Sequence, residues 1–317
     1  MSLLTAISSV FPIAFMIGVG FFVARRGWIN ESVNMFIAKI VINVAMPAFM
    51  IYSFTTGYTR EQLLGFRFII LIPLVTELIV YLISMLLARI SKVPINRRGL
   101  FCAMFTMGNI GFMGIPVTFA LFGNQVAPIT VLYFISTSVT FWTFGANGIR
   151  RDKEGEMYGG FDIKSLKNLL NGGIIGVAIG ILLVIFGVSF PPVVNDTFRF
   201  LGSLVTPLPM LFIGGIIAKF DWKKLKFTKD FLFVILGRFM ISPIILIAVI
   251  MSARNFFYVD ALTANVFIIQ ASMPIMSQIP LVAKNYGADH EYATALVAMT
   301  TLLSLIVVPI FSILLGA

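Results

Sequence analysis

Charged residues punctuate this chain into ten apolar stretches: Leu3–Ala24, Phe36–Phe54, Phe68–Ala88, Leu100–Phe122, Val126–Ala146, Leu169–Val188, Phe198–Ala218, Phe231–Met251, Ala264–Ala283 and Tyr292–Leu315. Each is close to the roughly 20 residues an α-helix needs to cross a bilayer. A soluble domain cannot bury that many such runs and still cover itself with polar surface. Here 11% of 317 residues are charged and 59% are hydrophobic, whereas soluble domains carry about 25% charge. The longest polar connection, Gly148 to Asn168 with its mixed-charge run RRDKEGEMYGG, leaves no room for a soluble module. The expected fold class is an all-α membrane protein of ten transmembrane helices, with the lipid bilayer as its main partner.

The net charge of +10 is explained by topology rather than by nucleic acid. With the N-terminus outside, the outer loops hold Arg60, Arg67, Arg199 and Arg254, while eighteen Lys and Arg fall in the inner loops and Arg238 inside a span. Positive loops stay in the cytoplasm, so a multi-pass cell-membrane protein with both termini outside is expected. The first run has Arg25 and Arg26 after it and no basic residue before it, the reverse of a cleavable signal.

One cysteine (Cys102) and one histidine (His290) exclude a disulfide and a Cys/His zinc cluster; no metal or cofactor is expected. No P-loop GxxxxGK[ST] is present, so ATP does not act directly, and no TVGYG filter or charged pore ring is found. The chain has no HExxH, GxGD or Ser/His pair for intramembrane proteolysis. No catalytic residue, and no enzyme, is expected.

Laying the fourth and ninth spans side by side exposes an internal repeat. GIPVTFALFGNQ (Gly114–Gln125) matches QIPLVAKNYGAD (Gln278–Asp289) at Ile-Pro and again at Gly123 and Gly287. Pro47 and Pro209 in the second and seventh spans precede those prolines by 69 and 71 residues. Five spans per half is odd, so the halves must be inverted, as in many secondary transporters. The expected organisation is residues 1–150 as a first five-helix repeat, 151–168 as a cytoplasmic linker and 169–317 as the inverted second repeat.

The fourth span, FTMGNIGFMGIPVTF, and the ninth, IIQASMPIMSQIPLVAK, are poor helix material. Pro116, Pro274 and Pro280 and the glycines predict helices broken near mid-membrane. Irregular backbone at that depth is tolerated only where protein buries it or it lines a cavity. The second half of each helix, beginning near Gly114, Ile115, Pro116 and Val117 in one and Ser277, Gln278 and Pro280 in the other, would aim a positive dipole end inward. Val117, Thr118, Leu281 and Val282 are the expected N–H donors, and Asn109, Ser277 and Gln278 the orienting side chains. Helix N-termini favour carboxylate or phosphate, so a small organic anion is the expected cargo. A cation-coupled antiporter or channel-like pore, using the opposite carbonyl ends, is the alternative, although no acid lies in either broken segment.

Glu77 is the one acid inside a span. A carboxylate at that depth is costly unless paired or protonated, which leaves two readings: a proton-coupling group, or a neutral carboxyl in a structural hydrogen bond. Arg238, about 10 Å into its span at 1.5 Å per residue, is expected to snorkel toward the cytoplasm, with pairing to substrate or to Glu77 as the other reading.

NVAMPAFMIYSF, GNIGFMGIPVTFALFG and ASMPIMSQIPLVAKNYG resemble the auxin efflux carrier family over essentially the whole chain, most specifically at N-x-x-x-M-G-I-P (Asn109 to Pro116). The resemblance implies two inverted five-helix repeats, similar to the bile-acid transporter and sodium/proton antiporter fold. It implies a scaffold of helices 1, 2, 6 and 7, often dimerising, and a moving transport domain of helices 3–5 and 8–10 whose fourth and ninth members cross. By the same resemblance Asn109, Pro116 and Pro280 match the crossover, Glu77 stands near an acidic position of helix 3, and Thr137 and Ser138 fall near a substrate-contacting position. Plant carriers place a serine three residues after the helix 2 proline, where this chain has Met50. Its loop between helices 5 and 6 is also short. A bacterial-type carrier of malate-, malonate- or auxin-like weak acids is the reading that results.

Overall fold

The computed structural model describes residues 3–154, 170–221 and 228–316. Most of the expected linker, from residue 155 to 168, and the inner-loop lysines Lys223, Lys224 and Lys226 lie outside the described residues. The helices are α1 Leu3–Arg25, α2 Glu31–Gly57, α3 Arg60–Gly65, α4 Leu71–Ile90, α5 Arg98–Thr106, α6 Ile110–Phe122, α7 Ala127–Lys153, α8 Gly172–Ile185, α9 Pro192–Lys219, α10 Lys229–Ala253, α11 Ala261–Ala271, α12 Ile279–Tyr286 and α13 His290–Leu315. By length and composition α2, α4, α7, α9, α10 and α13 can each cross a membrane, and Phe11–Arg25, α6, α8 and α11 are shorter apolar helices. The protein is an all-helical, multi-pass membrane protein.

Six of the ten expected spans coincide with helices long enough to cross a membrane and the other four with shorter apolar helices, and capping chemistry sets their ends. Asn30 starts α2 five residues before the expected Phe36 by accepting from Val33 N at 2.9 Å, and Asn171 and Asp260 cap α8 and α11 in the same way, each satisfying a first-turn N–H. The fifth span continues past Ala146 into the expected linker. There the buried Asp152 accepts from Gly99 N at 2.7 Å and Leu100 N at 2.8 Å, so the end of α7 caps the start of α5.

Proline is accommodated by widening the helix. One π-turn spans Val41–Ala45, a second Ile110–Gly114 and a third Gly237–Ile241, and Pro47, Pro116 and Pro243 each follow two residues later. A proline ring clashes with the carbonyl four residues back; a π-turn shifts that carbonyl aside and lets the helix run on.

Packing is closest between α1 and α9 and between α2 and α8, with α9 also lying on α2. Small residues permit the approach: a Cβ at Gly214 would fall 2.5 Å from Phe21 N, and one at Gly176 would fall 2.5 Å from Pro47 Cα. Elsewhere α5 packs on α4 and α7, α10 on α4 and α11, and α12 on α13.

Candidate functional site

Two interruptions meet in the middle of the protein. The chain leaves α5 at Thr106, runs extended through Met107 and Gly108, and re-enters helix at Ile110; on the other side it leaves α11 at Ala271 and re-enters at Ile279. Gly108 and Ile275 form an antiparallel bridge, with Asn109 N donating to Pro274 O at 2.8 Å and Met276 N to Met107 O at 3.1 Å. The extended residues thus satisfy one another's backbone groups, as burial requires. Thr300 of α13 adds support, accepting from Ile275 N at 3.3 Å.

Asn109 sits at the centre of an inverse γ-turn, with φ −79° and ψ 61° and Ile110 N reaching Gly108 O at 2.9 Å; such a turn does not demand asparagine. Its Oδ1 accepts a long contact from Ser277 Oγ at 3.5 Å, and its buried Nδ2 finds no partner among the described residues. Thr106 Oγ1 and Gln270 Oε1 are likewise buried and unpartnered. Gln270 Nε2 donates to Thr118 Oγ1 at 3.4 Å, and that hydroxyl shares a 3.2 Å contact with Thr130 Oγ1. The Gln270 carboxamide fills the space that a Cβ at Gly114 would need. A cluster of unspent polar atoms in a buried site is where a ligand is expected.

Two expectations require correction. The first concerns the break in the fourth span, which lies at Met107–Asn109, well before Pro116. Because the π-turn tolerates that proline, Ile115, Pro116, Val117 and Thr118 lie buried inside α6. The first-turn N–H groups there are those of Gly111 and Phe112 rather than Val117 and Thr118. Similarly, Val282 N is engaged with Gln278 O at 3.1 Å, which leaves Leu281 as the first-turn donor of α12. Pro280 occupies the second position of α12, and Gln278 stands at its N-cap with no capping side-chain bond.

The second concerns Arg238. It does not snorkel: it is 1% exposed, on the π-turn of α10. Nε donates to Met273 O at 3.2 Å, Nη2 to Ala271 O at 2.9 Å and Met273 O at 3.1 Å, and Nη1 to Thr106 O. One guanidinium therefore caps the carbonyl ends of both first half-helices. Three buried carbonyls of the protein replace the interfacial water that snorkelling would have sought.

Thr137, expected near a substrate-contacting position, donates to Glu77. The buried Glu77 carboxyl on α4 accepts from Ser136 Oγ at 3.0 Å and from Thr137 Oγ1. Ser138, also buried on α7, offers its carbonyl to Phe141 N and joins neither group. Asn109, Gly114 and Ser277 are thus gathered at the crossing, while Glu77, hydrogen-bonded to Ser136 and Thr137, lies within electrostatic reach of Arg238. Gln270 and Thr106 were missed. Gln270 had a signal, a lone carboxamide in FIIQASMP just before a proline break; nothing in FCAMFTM distinguished Thr106 from a packing threonine.

Two cavities flank this centre. One of about 720 Å³ lies between α2, α3 and α9 on one side and α6 and the start of α7 on the other, with Tyr52, Ser53, Gln125 and Arg199 on its wall. The Phe49 and Phe119 rings, 5.3 Å apart, also line it. A second, of about 790 Å³, lies at the opposite end beside Arg97, Lys219 and His290. Asn109 lines neither. At that opposite end Lys284 Nζ of α12 meets Glu31 Oε1 of α2 at 2.6 Å. Arg97 there ties α10 and α13 together through Asp230 at 3.4 Å and Asp289 at 2.8 Å.

Apolar spanning helices interrupted around buried polar groups are the build of a membrane transport protein. The chain belongs to the membrane transport protein (Mem_trans) family, whose pattern matches residues 5–312. It is similar to an uncharacterized transporter of Methanocaldococcus jannaschii, 24% identical over 308 residues covering 95% of this chain and 96% of that one. An uncharacterized transporter of Methanothermobacter thermautotrophicus is 24% identical over 319 residues, covering 97% of each chain.

Proposed function

We propose that this protein is a secondary transporter for a small organic anion, a mono- or dicarboxylate, working by alternating access. The observation that carries the reading is the buried Nδ2 of Asn109 at the paired breaks, without a partner among the described residues. A buried donor with no partner of its own suits a carboxylate oxygen. In this reading the chain holds two inverted five-span repeats on either side of residues 151–168, both termini lie outside, and helices cross at 107–109 and 274–276. A scaffold of α1, α2, α8 and α9, able to pair with a second copy, supports a moving unit of α4–α7 and α10–α13. The close packing within the first set and the cavity along its boundary with α6 and α7 support that division. The cation-coupled alternative lacks an acid at the breaks, and Arg238 already fills the carbonyl ends it would use. Glu77 is the proposed proton-coupling group.

A thermal-shift screen of small carboxylates on the purified protein, followed by uptake in proteoliposomes, tests this reading. At least one carboxylate should stabilise the protein saturably, while its amide or methyl ester should bind far more weakly. Two lost charge-assisted hydrogen bonds at about 1.5–3 kcal/mol each correspond to a hundredfold or more. Equal binding of acid and amide, or preference for an amine, refutes an anion site.

A further inference from the structure

We infer that Arg238 is a tethered cation standing where a transporter of this build would otherwise hold an alkali metal ion, so that the crossing is complete without one. Broken membrane helices commonly bind sodium through unwound carbonyls and half-helix C-terminal ends. Here those ends are Thr106 O on one side and Ala271 O and Met273 O on the other, and the Arg238 guanidinium donates to all three.

The charge balances as well as the geometry. A helix C-terminus carries roughly half a negative charge, so two converging ends match one guanidinium. Arginine also suits the position chemically, because it stays charged when buried and presents its donors in a fixed planar fork.

The neighbourhood is built around this group. A Cβ at Gly108 would lie 2.8 Å from Nη2, so any larger residue there would displace the guanidinium from its place under the extended segment. The π-turn at Gly237–Ile241 carries Arg238 itself, and a Cβ at Gly237 would strike the Phe105 ring. Gly108 thus gives room to the guanidinium, and Gly237 lets the π-turn that carries it pack on Phe105. The fixed positive charge then lies one residue from Asn109. The consequence for cargo rests on the anion-carrier reading: the crossing is held together without a co-bound sodium, so transport of the anion needs none.

The test uses no substrate, so its failure is distinct from failure of the carboxylate reading. Thermal unfolding of the purified protein is followed in choline chloride, sodium chloride and lithium chloride at equal ionic strength. The wild-type midpoint should be the same in all three. Arg238→Ala should unfold at a lower temperature in choline, and sodium, lithium or low-millimolar guanidinium should restore it saturably. Arg238→Lys, which keeps the charge but fewer contacts, should be weakened yet indifferent to sodium. A saturable sodium or lithium response in the wild type overturns the inference, because an ion would then bind beside Arg238. So does an Arg238→Ala protein as stable in choline as the wild type, or one that no cation restores. If Arg238→Ala cannot be purified, the wild type and Arg238→Lys decide: indifference of both to sodium supports the inference, and a response in either overturns it.

Discussion

Replacing Asn109 with alanine separates a residue kept for ligand from one kept for the fold. In the ligand-free protein its side chain does little for stability. Among the described residues the one contact of Oδ1, to Ser277 Oγ, is long at 3.5 Å, and the buried Nδ2 has no partner. An unpaired buried amide costs about 1–3 kcal/mol, so removing it offsets the lost contact and the small void. Backbone demands are met too, since φ −79° and ψ 61° form an inverse γ-turn open to alanine. We therefore expect the thermal stability of Asn109→Ala without ligand to stay within about 1 kcal/mol of wild type, or to rise. Carboxylate binding should behave oppositely. An Nδ2–H bond to a carboxylate is charge-assisted and worth about 1.5–3 kcal/mol, so affinity should fall roughly ten- to hundredfold. Both arms can be read from one thermal-shift titration, with isothermal titration calorimetry to fix the affinity. Wild-type affinity in a folded Asn109→Ala protein would remove the residue from the site. A large loss of stability without ligand would show that Asn109 serves the fold.

Glu77→Gln keeps the size of the side chain and a carbonyl to accept from Ser136 or Thr137; binding should change by only a few fold while the pH-gradient dependence of uptake in liposomes disappears, and an unchanged dependence leaves Glu77 a structural role. Gly114→Ala should displace the Gln270 carboxamide and destabilise the protein by about 1–3 kcal/mol, the usual cost of overpacking; Gly114→Ala with Gln270→Ala should recover most of that loss in thermal unfolding, and simple additivity would refute the contact. Glu31→Lys should break the pair with Lys284 and shift the balance toward the conformation opened at that end, read as faster labelling of engineered cysteines beside residue 284. Restoring attraction with Glu31→Lys plus Lys284→Glu should reverse it, and equal labelling in all three proteins would show that the pair is not a latch.

The spans could be read from hydropathy because burial in lipid leaves one-dimensional traces, and their exact ends could not because caps act at single residues such as Asn30, Asn171 and Asp152. The existence of the breaks was also legible, written in Gly108, Pro116, Pro274 and Pro280. Their position was not. Proline chemistry pointed to Pro116 as the start of a helix, but a π-turn over Ile110–Gly114 carries the helix across it. The break falls instead where Gly108 and Asn109 pair with Pro274 and Ile275, a contact between segments more than 160 residues apart. Arg238 was misread for the same reason. Depth in a span suggested a route to water, but its acceptors at Thr106 and Ala271 belong to two other segments. Glu77 could be singled out by its isolation, whereas its pairing with Thr137 needed the fold.

The packing indicates where a molecule built this way can move at least cost. The α1–α9 and α2–α8 contacts bring backbones together at Gly214 and Gly176, and sliding such surfaces would lose many close contacts at once. The crossing resists deformation differently: Arg238 holds α5, α10 and α11 through carbonyls, Thr300 braces Ile275, and Asp152 locks α7 to α5. A buried polar network of this kind is costly to open part-way, so these helices are expected to move together. What lies between the two sets is softer. One end holds the 720 Å³ cavity, with Tyr52 and Ser53 of α2 facing Gln125 and Ala127. The other is bridged by the exposed Lys284–Glu31 pair, a kind of contact that water readily replaces. A rigid-body shift along this boundary leaves the dry glycine contacts and the Arg238 cap intact, while α6 and α13 slide over α1 and α9, where the Phe112 and Phe212 rings meet 5.3 Å apart. That is the movement alternating access requires.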